Sequence, residues 1–221
     1  MATEKLDIMQ TIKDGIQFGL KNFLPLLLTV VLYIITIWIP YLNVGTTIGL
    51  YKLIIGIGRG ETINPTAIFN KENFANIGGF FLLMGLVCVG CIVAAFFFII
   101  PLYVISIAWG FAIYFLIDKK VSPLKALQLS YDSTFGNKWR IFFVEFISSF
   151  AISIVGSILT AIPKVGFFLA IIAMIVGAAI LVAIEGVMYD FFSKRADAIL
   201  GGKPAVGISA DEAIDEVKTE A

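Results

Sequence analysis

The 221-residue chain contains no histidine. That absence removes the side chain most used as a general base near neutral pH, and with it the commonest metal ligand. Cysteine is nearly missing too: two residues are too few for a disulfide framework. Charge is scarce. Only 14% of residues are Asp, Glu, Lys or Arg, 16 basic against 16 acidic, where a soluble domain carries about 25%. A net charge of zero excludes a general basic footprint for nucleic acid. What fills the space is apolar: 59% of residues are hydrophobic and the mean hydropathy is +0.97. The fold class this predicts is all-α, a polytopic helical membrane bundle whose first partner is the lipid bilayer. No cofactor is implied.

A hydrocarbon core about 30 Å thick needs roughly 20 apolar residues of helix. Runs with little or no charge occupy 23–42, 44–58, 77–100, 102–117, 141–162 and 165–189. The second and fourth are short, and each follows its predecessor across a proline or a brief polar break. Each pair therefore reads as a tight hairpin, giving six transmembrane helices as three hairpins. Basic residues set the orientation. Lys5, Lys13 and Lys21 precede the first run, and Arg59 and Lys71 separate the first two hairpins. Lys119, Lys120, Lys125, Lys138 and Arg140 separate the last two, while Lys194, Arg195, Lys203 and Lys218 follow the final run. The opposite side holds Lys164. Both termini are expected on the cytoplasmic side. Residues 1–22 form an amphipathic cytoplasmic segment with acids among its lysines, unlike a signal peptide. Residues 23–192 are the membrane domain, and 193–221 a cytoplasmic tail expected to be disordered.

The turns opposite the charged side read Ile39-Pro40, Ile100-Pro101 and Ile162-Pro163, at nearly equal spacing. Ahead of the first and third hairpins, Met9, Ile12, Ile16 and Leu20 and then Leu124, Leu127, Tyr131 and Phe135 repeat at one helical spacing. Ser122-Pro123 and Asn64-Pro65 are each a cap residue followed by proline at the first helical position, and Gly136 is placed to end the third such helix. The predicted unit is a short amphipathic helix followed by a hairpin, used three times. Its middle copy, 66–73, is barely two turns. These short helices either lie in the headgroups or pack under the bundle.

The stretch 99–150 carries a further pattern: an apolar run into Pro101, a second run, Asp118, then Ser122, Ala126-Leu127, Ser130 and Gly136-Asn137-Lys138-Trp139. Upstream stand Gly49-Leu50-Tyr51 and Arg59-Gly60-Glu61, followed by Phe69. In these positions the chain resembles a prokaryotic family of uncharacterised integral membrane proteins. A related domain forms the membrane part of some glycerophosphodiester phosphodiesterases. The resemblance implies a six-span helical protein; no phosphodiesterase domain accompanies it, so that activity is not carried over.

Three ionisable residues fall within the runs: Lys52, Glu145 and Glu185. A charge at mid-bilayer costs about 2.5–3.5 kcal/mol on insertion scales, so it normally faces the bundle interior or finds a partner. All three are expected at a similar depth near the cytoplasmic edge. They either pair, leaving one glutamate over as in a proton-linked carrier, or snorkel to the interface. Gly45, Gly49 and Gly56 share a helical face and predict close helix packing; Ser149, Ser153 and Ser157 make a second small-residue row, and Gly166, Ala170, Ala173 and Gly177 a third. The serine row equally suits a narrow polar path. Cys88 and Cys91 sit mid-run, where neither a redox motif at a helix start nor a four-ligand zinc site is available. No catalytic or metal-binding constellation emerges. The leading expectation is a non-enzymatic accessory or scaffold component of a prokaryotic cytoplasmic membrane with a membrane or cytoplasmic protein partner. The alternative is a small-solute or proton-linked transporter or channel using Lys52, Glu145 and Glu185.

Overall fold

The computed structural model describes residues 5–97 and 99–201, and among them every regular element is helical. The helices are α1 (Ile8–Lys21), α2 (Phe23–Thr36), α3 (Pro40–Gly58), α4 (Ile77–Phe96), α5 (Ile99–Trp109), α6 (Ala112–Asp118), α7 (Pro123–Thr134), α8 (Lys138–Thr160) and α9 (Gly166–Ile199). Two 3-10 helices, Pro65–Phe69 and Lys71–Phe74, stand where the middle short helix was expected.

Several boundaries follow directly from local chemistry. Pro40 disfavours helical backbone at Ile39, so α2 stops at Thr36 and residues 40–42 open α3 instead of closing the first run. Pro101 sits in the first turn of α5, where its missing N–H costs nothing, and the break expected there falls earlier, after Phe96. Ser122 accepts from the Lys125 amide ahead of Pro123, and Asn64 caps Thr66 ahead of Pro65. Gly136 takes φ +79° after α7, a left-handed conformation that glycine adopts without cost. At the other end α9 runs on to Ile199, so the first residues of the expected tail, 193–199, are helix; residues 202–221 lie outside the described residues.

Among the described residues, four helices are long and apolar enough to cross a membrane: Ile77–Phe96, Pro101–Asp118, Lys138–Thr160 and Gly166–Ile199. A fifth arises if α1 and α2, bent by 72° at Asn22, count as one span. α2 alone is about 21 Å long, short of the hydrocarbon thickness. α3 has the length, but Asn43, Thr46, Thr47, Lys52 and its glycines dilute its apolarity. The two helices pack side by side: Tyr33 and Thr47 share a hydrogen bond of 3.0 Å, Thr36 and Thr46 one of 2.9 Å.

Packing is uneven along the bundle. The outer halves of α2, α4, α8 and α9 expose large apolar side chains such as Val31, Ile92, Phe150 and Phe168. At the charged end α6 is buried from Ala112 to Leu116, enclosed by α3, α4 and α7, with Tyr189 of α9 against Tyr114 and Phe115. An aromatic core of Phe111, Tyr114, Phe115, Tyr189 and Phe192 fills this end, with Tyr114 stacked on Tyr189 at 5.1 Å. Glycines permit the tightest approaches. A Cβ on Gly58 would collide with the Gly186 backbone, so α3 and α9 cross in direct backbone contact. Gly15 and Gly19 bring α1 against Ile184 and Ile180 of α9 in the same way.

Gly58→Leu should therefore separate α3 from α9 and cost about 1–3 kcal/mol or more. Gly85, with nothing within 4 Å, supplies the contrast. Thermal unfolding in detergent is expected to show a clear fall in Tm for Gly58→Leu, and an unchanged or raised Tm for Gly85→Ala.

Candidate functional site

The charged end is stitched together by side chains from every segment that reaches it. Arg59, just beyond α3, places Nη2 2.7 Å from Asp118 Oδ2 at the end of α6, and Tyr189 Oη donates to the same oxygen at 2.8 Å. Arg59 Nε lies 3.9 Å from Asp190, whose other oxygen holds Lys194 one turn on at 2.7 Å. Lys119 reaches Asp197 at 2.7 Å. Burial alone would make the Arg59 guanidinium easier to deprotonate, but the hydrogen bond and charge of Asp118 outweigh it and raise its pKa. The pair is a fixed link between α3, α6 and α9. Exposed Lys194–Asp190 contributes little beyond helix support.

Two buried asparagines tie down the remaining backbone. Asn22, at the α1–α2 bend, donates to Glu61 O at 3.1 Å and Phe18 O at 3.2 Å, and accepts from the Ile63 amide at 3.1 Å. Asn137, ahead of α8, accepts from the Leu6 amide at 2.9 Å, while Arg140 donates to Leu6 O at 2.7 Å. Sequence reasoning passed over Asn22 and met Asn137 only as part of the quoted pattern. The signal that would have found them is an asparagine immediately before three of the apolar helices, at Asn22, Asn76 and Asn137.

The candidate charges separate in an unexpected way. Glu145 and Glu185 line one cavity of about 180 Å³ with Tyr103, Ser106, Gly110 and Phe111. Here the Pro101–Asp118 span is broken at Gly110 and Phe111, between α5 and α6. The Ala108 carbonyl, at the end of α5, receives the Ser130 hydroxyl from α7 at 2.6 Å. The Tyr114 hydroxyl lies beside Glu185 but closes no hydrogen bond of good geometry among the described residues. Lys52 joins neither glutamate. It lines a different cavity of about 420 Å³ with Glu72, Asn73, Asn76 and Lys120. Adjacent helical residues diverge by about 100°, and Tyr51 turns edge-on to Tyr114 at 5.0 Å, leaving Lys52 to face the 65–74 loop and α4. The three charges therefore form no single cluster: the two glutamates line one cavity and Lys52 another.

The small-residue rows are redistributed as well. Gly45 is covered by the Phe74 ring, Gly49 by Ile68 and Asn73, and Gly56 by Glu61. They seat the loop between α3 and α4 and do not face another span. Ser149, Ser153 and Ser157 are exposed, and Ser153 and Ser157 donate to carbonyls four residues back, so this row lies on the outer surface of α8. On α9, Gly177 meets Ile152 of α8, as the spacing predicts. Of the two apolar stripes, Met9, Ile16 and Leu20 point outward from α1 while Thr11, Gly15 and Gly19 pack inward. Leu124, Tyr131 and Phe135 likewise point outward from α7, with Leu127 buried. Cys88 and Cys91 are free.

No protein-family model, curated protein or solved structure matches the chain.

Removing Asp118 takes away the acceptor that Arg59 Nη2 and Tyr189 Oη share, while Lys119 keeps Asp197. Asp118→Ala should cost about 2–3 kcal/mol and Tyr189→Phe about 1–2 kcal/mol, measured by unfolding in detergent. If the two share one network, the double variant will fall short of the sum.

Proposed function

We propose that this chain is a six-crossing, non-enzymatic protein of a prokaryotic cytoplasmic membrane, with both termini cytoplasmic, acting as an accessory or scaffold component for a protein partner. The observation that carries the reading is the knitted charged end. Ion pairs and backbone hydrogen bonds gather the N-terminal segment, both inter-hairpin loops and the end of α9 into one platform. The opposite turns, near Ile39 and Lys164, offer little surface for a partner. Support for six crossings comes from the short turns joining α2 to α3, α4 to α5 and α8 to α9. The basic residues of the platform support its cytoplasmic orientation. Kinship with the membrane-domain family named above belongs to the same proposal and rests on the quoted motifs.

A second reading has its own observation: two carboxylates share a cavity at a broken span. Irregular backbone at membrane depth is tolerated where it is buried or lines a cavity, and carriers place coupling ions at such breaks. On this reading Glu145 and Glu185 hold a transported proton, and Lys52 takes no part.

Three measurements separate these readings. With Cys88 and Cys91 replaced, single cysteines at Trp38 and Lys164 should label from outside the cell and one at Lys71 only after permeabilisation; any other pattern overturns the six-crossing topology. Purification of the full chain in mild detergent should retain a partner at fixed stoichiometry, and a partner-free protein counts against the scaffold. In proteoliposomes the carrier reading expects proton flux that Glu145→Gln or Glu185→Gln abolishes, with both variants still inserted; absent wild-type flux rejects it.

A further inference from the structure

A cavity of about 420 Å³ lies where α3, α4, α6 and the 65–74 loop meet. Two lysines from different elements line it, Lys52 from α3 and Lys120 from the turn after α6, with one acid, Glu72. Neither lysine has an ion pair or hydrogen bond with any described residue. The loop between α6 and α7 holds Lys120 at φ +52°, a left-handed conformation that costs a lysine about 1 kcal/mol or more and that turns and functional sites retain. Asn73 is 1% exposed and also lines the cavity. Its amide nitrogen is spent on the Ala67 and Ile68 carbonyls, while its Oδ1 has no hydrogen-bond partner. Asn73 thus pins the 65–74 loop that forms one wall of the cavity.

The remaining wall is apolar, with Phe80 and Leu116 prominent. Phe80 lies in the first turn of α4, which begins at Ile77, so in the membrane topology proposed above the cavity sits where headgroups meet hydrocarbon. An inorganic anion alone would leave the apolar wall uncovered. From these features we infer that this cavity binds an anionic, phosphate-bearing lipid headgroup. The phosphate lies between Lys52 and Lys120, and the glycerol and first methylenes cover the apolar wall beside Phe80 and Leu116.

The test uses the full-length protein, delipidated in a neutral detergent, with thermal unfolding as the readout. The probes are dioctanoyl phosphatidylglycerol, dioctanoyl phosphatidylcholine and inorganic phosphate. Phosphatidylglycerol should raise Tm in a saturable way and phosphatidylcholine should not. Lys52→Gln and Lys120→Asn should each weaken apparent affinity about tenfold. Asparagine accepts the left-handed backbone, so Lys120→Asn removes the charge without disturbing the turn. The Tm of each variant without lipid reports folding separately. Equal stabilisation by the zwitterionic lipid, or undiminished affinity in both variants, overturns the site. Inorganic phosphate matching phosphatidylglycerol through the same lysines overturns the lipid assignment in favour of a free anion.

Discussion

Backbone hydrogen bonding is the constraint on which the rest of this structure depends. In hydrocarbon an unsatisfied amide or carbonyl costs several kcal/mol, so a chain this apolar must close its backbone bonds within helices. The described residues obey that rule along α4, α8 and α9 and depart from it at Gly110 and Phe111. The departure is repaired locally. Ser130, fully buried on α7, delivers its hydroxyl to Ala108 O, so α7 is held against the broken span by a bond that helix geometry itself made available. From this follows the placement of α6, released from α5 and buried among α3, α4 and α7 as the centre of the aromatic core.

α9 serves as the spine because it is long and carries small residues where others must cross it. At 1.5 Å per residue its length is about 50 Å, well beyond a hydrocarbon core of about 30 Å. Its outer half meets α8 through Gly177, its middle meets α1 and α3 through Ile180, Ile184 and Gly186, and its last turns bear Asp190 and Asp197 for the ion pairs. A single helix therefore carries both the membrane packing and the electrostatic closure. The direct contact of Gly58 with Gly186 puts Arg59 within reach of Asp118 and Asp190; a wider crossing would move the guanidinium away from both.

Much of the fold was legible because apolar length and cap chemistry are local. The helices at 138–160 and 166–199 follow their apolar runs, and Ser122, Asn64 and Gly136 perform the terminal roles that their side chains dictate. What escaped was which face of each helix meets what. On α1 the spacing of Met9, Ile16 and Leu20 suggests a packing stripe, yet Thr11, Gly15 and Gly19 pack because α9 comes close enough to demand small residues. Gly45 and Gly49 show the same small-residue spacing and receive a loop. A row of small residues specifies close approach without specifying the partner. The split of Lys52 from Glu145 and Glu185 was invisible for a related reason: depth can be counted along a sequence, whereas azimuth around the bundle is set by contacts such as Tyr51 with Tyr114.

That split bears on what the charges are for. Asp118 and Asp190 are matched by Arg59, Lys119 and Lys194. Glu145 and Glu185 face one another without a cation among the described residues, and Lys52 and Lys120 line their own cavity without a matched acid. Joining Lys52 to a glutamate would relieve some of the cost of keeping each charge away from water. The fold instead holds the two sets in separate cavities, at the same end of the bundle where its other charges are paired. A chain that pairs its structural charges this closely has no stability reason to leave these separate, and sites that set stability aside are where a ligand or a proton is expected to complete the network.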